Sequence, residues 1–495
     1  MEYPFPDSAV ARYDELGGAC GNGAVDAQTW QDLLLAPYLL AVAEGASMFG
    51  RQMLYRRLRR GSASMASESV RSLLADSAAR DRLAAQLAPL RQAGAEVTES
   101  LFVPAQDAHA PPAASRAGSP LPPAPGWSGW LWLLPVAFLA CAAASFFWLG
   151  ALLPAVALSL VLMAIQVAFH SRVQQWSAVA EALQLQLYAH SQRPDAPGAV
   201  QAAQLRGKLA RNAFSTAPGV ADYADWVMLA NLKHYFATRR LVREHAAFLR
   251  ESYELVAGLD ADLALARHLS AQTQWCWAEE GWEQEAHLQA VHHPLLPGAQ
   301  SLDLTLDGKS AFISGQNGVG KSTLLRTVGL NLLAARAFGF CYADAARVPN
   351  LPVYASMQND DALDGGESLY QSELRRAHEL LALSKAPQRA VFIIDEIFRG
   401  TNHLESVSAA AAVLEQLAGR GTVLVSSHNV VLAQLLEQCC MPLLVQKRAG
   451  RLVLTPGVLA ETNGLTLLAQ SGFDASIEQR ARDVYKRLTG RLLPA

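Results

Sequence analysis

Hydrophobic and polar positions follow three regimes along the chain. Through the first hundred residues, apolar side chains recur every three or four positions, as in TWQDLLLAPYLLAVAEGASMFGRQMLYRRLRR (Thr29–Arg60). That is the period of an amphipathic helix. Between Trp127 and Phe169 the alternation vanishes, because from Ala117 to Phe169 there is no Asp, Glu, Lys, Arg or His. Helical spacing returns over roughly 172–290, broken at Pro194, Pro197 and Pro218. From about Ser301 the pattern changes to short β-branched or apolar runs, KSAFISG, RAVFIIDE and GTVLVSSH, each leading through polar turn residues into a helical stretch. Such alternation predicts βαβ units around a parallel sheet flanked by helices.

The uncharged run predicts a membrane element. At ~1.5 Å per residue, Trp127–Phe169 would make roughly 64 Å of helix, about twice what ~30 Å of hydrocarbon needs. Two spans fit better than one, near Ser128–Phe147 and Leu152–Phe169, with a turn around Leu149, Gly150 and Ala151. Trp127, Trp130, Trp132 and Trp148 fall near the ends of the first span, where amphipathic rings sit at headgroup level. Pro135 and Pro154 lie in the opening turns of their helices, where a missing N–H costs least. The alternative, a helical hairpin buried in a soluble core, fits poorly with apolarity on every helix face. Two passes return the chain to its starting side, so the segments before and after the hairpin share one compartment. Arg116 and Arg172 flank the hairpin on that side, as the positive-inside rule expects. The expectation is a two-pass protein of the inner (cytoplasmic) membrane, with N- and C-terminal domains in the cytoplasm.

The rest of the chain divides around this hairpin. Residues 1–103 read as the helical N-terminal part of a core domain, and 104–126 (PAQDAHAPPAASRAGSPLPPAPG) as an extended Pro/Ala linker. The hairpin occupies 127–169, a helical core domain 170–290, and the α/β domain 291–495. The fold class expected is thus an α/β P-loop NTPase domain plus an all-α core interrupted by a two-helix transmembrane hairpin. A formal net charge of −3 rules out a global basic field. Residues 206–250 nonetheless hold eight Lys or Arg against three acids, while 251–285 hold one Arg against eight acids. The basic stretch can touch phosphates or anionic headgroups, or simply be a solvated helix face. Cys20, Cys141, Cys276, Cys341, Cys439 and Cys440 form no CxxC pair and read as reduced structural thiols. The N-terminal MEYPFPDSAVARYDE is acidic and has no apolar core, so no secretory signal is expected.

Chemistry concentrates in the α/β domain. AFISGQNGVGKSTLLRTVGLNLL contains G-x-x-x-x-G-K-[ST] as Gly315, Gly320, Lys321 and Ser322, after a strand and before a helix. Glycines, Gly318 among them, let backbone N–H groups curl around phosphate oxygens, and the helix N-terminus adds its positive end. Lys321 should reach the β- and γ-phosphates, with Ser322 on Mg²⁺ and Thr323 beside it in the nucleotide-binding set. In RAVFIIDEIFRGT a buried strand ends in Asp395, placed to help hold Mg²⁺, and Glu396, placed to orient or activate water. Adjacent acids at a strand end can also cap the next helix. His428, just past the strand in GTVLVSSHNVV, can contact the γ-phosphate or the attacking water, or be structural. ATP and Mg²⁺ are the cofactors implied.

These elements together resemble the MutS family. SGQNGVGKST is similar to the family's TGPNxxGKST, with Asn317 at the Asn position. DEIFRGT, with Asp395, Glu396, Arg399, Gly400 and Thr401, is close to DExxRGT. DDALDGGESLYQSEL is similar to DDLxxGxSTFxxEM through Gly366, Ser368, Tyr370 and Glu373, with one extra residue after Asp361. The histidine of SSH, His428, matches the family's THY-type histidine. Fainter likenesses lie in VDAQTWQDL, in GLDADLALARHL around Asp260, in HHP at His292–Pro294, and in TPGVLAETNGLTLLAQSGF followed by IEQRAR.

What the resemblance implies is a homodimeric ATP-driven switch with C-terminal dimerisation helices. Gly366 and Ser368 of one subunit would approach the nucleotide of the other. The chain begins at the family's core domain, which leaves no place for a mismatch-reading domain, and the hairpin lies roughly where the DNA-gripping lever and clamp would emerge. The resemblance is therefore to a divergent, membrane-anchored branch. Its output would fall on DNA or on an unidentified protein partner. The competing readings are an ABC-type membrane ATPase, since LDGGES (Leu363–Ser368) superficially resembles LSGGQ, and a nucleotide-gated scaffold acting on a protein or lipid. The RGT after the acidic pair favours MutS.

Overall fold

Helical spacing at the N-terminus and alternation at the C-terminus build two separate compact units. The computed structural model describes residues 5–17, 23–61, 63–103, 129–211, 221–282, 285–357, 369–399, 402–448, 451–459 and 473–492. Unit one comprises Met1–Ala19, Ala43–Arg56 and Val70–His268, and unit two comprises Cys20–Val42, Arg57–Ser69 and Leu269–Ala495. The units are thus not consecutive stretches of sequence. The linker at 104–126, with Arg116, and residues 127–128 at the start of the uncharged run lie outside the described residues.

Unit one is helical. Tyr253, on the helix Ala246–Ala271, centres an aromatic core: its ring lies 4.8 Å from Tyr13, 5.6 Å from Phe49 and 5.7 Å from Phe102. Its hydroxyl donates to Gln52 Oε1 at 2.6 Å, and the Gln52 amide donates to Ala9 O at 2.8 Å, so the buried polar atoms are matched. Asp260, on the same long helix, caps another. Its Oδ2 accepts from Ser47 Oγ at 2.5 Å, Ser47 N at 2.9 Å and Gly50 N at 3.1 Å, at the start of the helix Met48–Arg60. Burial pushes the Asp260 carboxyl up, and these hydrogen bonds pull it back. A Cβ on Gly50 would sit 2.5 Å from that carboxylate oxygen, so only glycine fits. Asp260→Ala leaves three buried donors without an acceptor and should cost about 3 kcal/mol, read as a lowered denaturant midpoint. An unchanged midpoint would show that water replaces the carboxylate.

The uncharged run does form a helical hairpin in this unit. Helix α1 (Leu133–Ser145) and helix α2 (Leu152–Ser191) are joined through a 3₁₀ turn at Leu149–Ala151. The second helix does not stop near Phe169. It runs 40 residues because no proline or glycine intervenes between Pro154, in its first turn, and Pro194, and polar residues simply take over after His170. Helix α1 has 13 residues, ~20 Å at ~1.5 Å each, which is short of the ~30 Å of hydrocarbon. Among the described residues, one stretch, Leu149–Ser191, is long and apolar enough to cross a membrane. The two-pass inner-membrane placement is therefore not supported. Helix α3 (Ala221–Trp226) and helix α4 (Ala230–Glu244) pack beside the hairpin.

Unit two is built on a six-stranded sheet. Its strands are β1 (Ser310–Gly315), β2 (Val353–Ser356), β3 (Val391–Asp395), β4 (Thr422–Ser426), β5 (Cys440–Arg448) and β6 (Arg451–Pro456), in the order β6-β5-β1-β4-β3-β2. Every residue of β1, β3 and β4 is buried, as expected for strands covered on both faces. The helices of this unit include α5 (Lys321–Phe338), α6 (Leu369–Leu383) and α7 (His403–Ala418). Leu380, Leu414 and Leu417 from α6 and α7 bury with Phe392, Ile394, Val423 and Val425 of the sheet.

Five strands are parallel, but the edge strand β6 runs antiparallel to β5. Two residues separate them, too few for the crossover helix that a parallel neighbour requires. The sheet is therefore mixed, not wholly parallel. A second, four-stranded sheet adds Glu279–Glu280, Ala345–Val348, Glu285–Val291 and Leu302–Asp307 in that order.

Early residues Asp26, Thr29 and Asp32 of this unit cover the outer edge of β2. Thr29 Oγ1 accepts from Ala355 N at 2.8 Å, and Asp32 Oδ2 accepts from Met357 N at 2.8 Å. Arg376 of α6 reaches Asp26 at 3.2 Å and Thr29 Oγ1 at 3.2 Å. Edge amides that would otherwise invite pairing with another chain are thereby taken up.

Candidate nucleotide site at the ends of three strands

Strands β1, β4 and β3 lie side by side in parallel register, Ser426 standing opposite both Ile313 and Asp395. Their C-terminal ends, the edge where α/β sheets bind ligands, bring three separated motifs together. The loop after β1 is shaped by glycine. A Cβ on Gly315 would lie 2.8 Å from Val445 O and 3.0 Å from Val319 Cγ1. Gly318 and Gly320 take φ of 74° and 107°, conformations that L side chains rarely adopt. Gly320 stands at the N-cap of α5, and Leu324 N donates to its carbonyl at 2.9 Å. Lys321, Ser322 and Thr323 form the first turn of α5, where unpaired N–H groups and the helix dipole favour an anion. Asn317 and Gly318 lie exposed at the crest of the loop.

Lys321 folds back over that loop. Its Nζ donates to Gly315 O at 3.1 Å and Gln316 O at 3.3 Å, and lies 3.4 Å from His428 Nε2. Burial lowers its pKa, while Glu396 and Asp395 act to raise it. Asp395 ends β3 almost wholly buried and accepts a hydrogen bond from Ser426 Oγ on the neighbouring strand.

Glu396, the next residue, has φ of 58°, a left-handed conformation that costs a non-glycine residue about 1–2 kcal/mol. Its N–H donates to Ser426 O at 3.0 Å, which holds the turn. The carboxylate then meets His428 Nε2 at 2.9 Å through Oε1 and Arg399 Nε at 3.3 Å through Oε2. The His428 hydrogen bond holds the Glu396 carboxyl below its ordinary range; burial opposes this, and the charges of His428, Arg399 and Lys321 assist it. Glu396 is thereby kept ionised at neutral pH.

Lys321, Asp395, Glu396 and His428, read from three distant motifs, thus share one site. Ser368, together with Gly366, Gly400 and Thr401, lies outside the described residues. Sequence reading missed the clamp on Asp395 by Ser426, because strand neighbours cannot be read from a linear motif. It also missed a tie behind the site: Glu373 of α6 accepts from Arg399 N at 2.9 Å and pairs with its guanidinium at 3.6 Å. Both residues had stood out only as motif matches.

Residues 311–489 match the family described as MutS domain V. The likeness of this part of the chain is to the MutS family. The DNA mismatch repair protein MutS of Thermus aquaticus is 28% identical over 268 residues, which cover 52% of this chain and 32% of that protein. MutS of Synechococcus sp. (strain CC9311) is 28% identical over 271 residues, 50% of this chain and 29% of its own length. MutS 1 of Halobacterium salinarum (strain ATCC 29341 / DSM 671 / R1) is 29% identical over 270 residues, 51% of this chain and 31% of its own. The chain spans about a third of the length of these MutS relatives, at low identity, as a divergent branch would. The MutS domain V match takes in the whole glycine loop, both acids and His428.

Proposed function

We propose that the chain is a membrane-associated ATPase of MutS type, working as a homodimer in which ATP binding and hydrolysis drive a conformational switch. One observation carries this reading: Lys321 Nζ and the Glu396 carboxylate both meet His428 Nε2, at 3.4 and 2.9 Å, beside a glycine loop that opens a helix. A triphosphate entering the loop would draw Lys321 off the Gly315 and Gln316 carbonyls onto its β- and γ-oxygens. The donor set at the loop suits magnesium, a hard cation that prefers oxygen: the Ser322 hydroxyl and Asp395 would hold it. Bound there, the ion would neutralise charge on the phosphates.

Glu396 then orients the attacking water and takes its proton, and His428 steadies that carboxylate. Strain stored at Glu396 supports an active role, since a capping acid needs no left-handed backbone. In the dimer, Ser368 of the second protomer would complete the site. Hydrolysis would feed a change that acts on DNA or on a protein partner.

The test is the Mg²⁺-dependent ATPase rate of the full chain, with and without duplex, branched and single-stranded DNA, across a salt series. Turnover that disappears with EDTA is expected. Stimulation by DNA that weakens steeply with salt would assign the output to DNA. Stimulation absent at every salt concentration would assign it to a protein. A chain that never hydrolyses ATP would overturn the reading.

A further inference from the structure

We infer that the hairpin enters one leaflet of a phospholipid bilayer and stops near the midplane instead of crossing it. This rests on the membrane association proposed above and specifies its depth. At the tip, Phe146, Phe147, Leu149 and Leu153 are 79–95% exposed, and the segment holds no charged residue. The turn also bonds several of its own N–H groups internally. Phe147 N donates to Ala144 O at 3.0 Å, Trp148 N to Ala144 O at 2.9 Å and Ala151 N to Trp148 O at 3.0 Å. A turn emerging into water needs neither feature, whereas both suit hydrocarbon, where unbonded N–H groups are costly.

The base of the hairpin sets how deep it can go. Leu162 of α2 is buried with Leu229 and Leu232, at the start of α4, and Leu134 and Phe138 of α1 pack against the same cluster. One turn on, Gln166 and Asn231 exchange amide hydrogen bonds at 2.9 and 3.1 Å. Helices α3 and α4 carry Asp225, Lys233, Arg239 and Arg240, so they cannot enter hydrocarbon. The membrane surface therefore lies no closer to the base than Leu162. From there to Leu149 the apolar rods rise about 15–20 Å, half the ~30 Å of a hydrocarbon core.

Side chains at that level match a headgroup boundary. Trp132, Tyr223 and Trp226 are 57%, 56% and 51% exposed there, rings with a polar edge of the kind that sits at the interface. Just beyond them come Arg172, whose guanidinium lies 5.7 Å from the Phe169 ring, and the exposed Lys233, both suited to anionic headgroups.

The test uses the full chain with vesicles of phosphatidylcholine and phosphatidylglycerol. A fluorophore on Phe147→Cys, in a chain whose other cysteines are serine, should be quenched severalfold more by nitroxides at the acyl-chain end than at the headgroup. Iodide, added outside or trapped within, should not quench it. Quenching by trapped iodide would mean that the hairpin crosses; stronger quenching from the headgroup would mean that it lies flat. Either overturns the depth while leaving membrane association intact.

A second arm keeps the native cysteines. The double change Phe146→Glu and Phe147→Glu should lower vesicle flotation about tenfold or more, while Val200→Glu, at an exposed site away from the hairpin, should not. Flotation indifferent to the double change would overturn the inserted tip. An unaltered chain that does not float, but loses self-association when the tip is charged, would assign the tip to a second copy and remove the membrane reading altogether.

Discussion

Glu396→Gln is expected to leave ATP bound and to slow its hydrolysis by about 100-fold or more, the usual contribution of a positioned base. Glutamine has nearly the same volume, and its amide oxygen can still accept from His428 Nε2, which now lies 2.9 Å from Oε1. What is lost is the charge. The wild-type carboxyl is held below its ordinary range, chiefly by that hydrogen bond, so it is ionised and ready to take a proton from water; an amide cannot do so. Binding titrations should therefore give a near-native ATP affinity while single-turnover hydrolysis collapses. The stalled complex should accumulate as a dimer on a sizing column run with ATP. Native turnover by the variant would remove Glu396 from the reaction and return it to the role of a structural acid.

Lys321→Ala should act one step earlier, on binding itself. Truncating one member of a buried charge pair costs about 2–5 kcal/mol, which is on the order of 30-fold or more in affinity. The same substitution should not harm the empty protein. Burial lowers the Lys321 pKa even though Glu396 and Asp395 act to raise it, the mark of an ammonium whose desolvation is not offset by its hydrogen bonds to two carbonyls and its contact with an imidazole. A melting temperature held or raised without ATP, together with the loss of stabilisation by added ATP, distinguishes a ligand-binding lysine from a structural one. If both fall together, the lysine serves the fold and the site assignment fails.

Much of the site was readable because its parts are local. A glycine loop between a strand and a helix is a short-range event: Gly318 and Gly320 supply the positive φ that the loop needs within a few residues of one another. Strands β1, β3 and β4 announced themselves as unbroken apolar runs, since burial on both faces leaves no polar alternation to confuse with a helix. The hairpin turn at Leu149–Ala151 was legible for a similar reason, because a stretch this long and this apolar has to fold back.

Other features depended on what lies across space. Ser426 clamps Asp395 only because β4 is inserted between β1 and β3, an order no motif encodes. Helix α2 outran its apolar half because a helix ends at a breaker and not at a change of polarity. Early residues Thr29 and Asp32 joined the second unit because β2 had amides to satisfy at its edge.

By itself, then, the sequence determined the chemistry on offer: a phosphate-binding loop, an acidic pair, a histidine and an uncharged rod, each specified by residues within a few positions of one another. Tertiary structure alone decided how these meet. It placed Glu396 in a strained turn facing His428, gave the edge strand its opposite direction, and set beside the hairpin a charged helix that limits how far the rod can enter a membrane. The division has one physical cause. Backbone conformation and hydropathy are properties of neighbouring residues, whereas hydrogen-bond partners and burial depth belong to pairs of segments that only folding brings together.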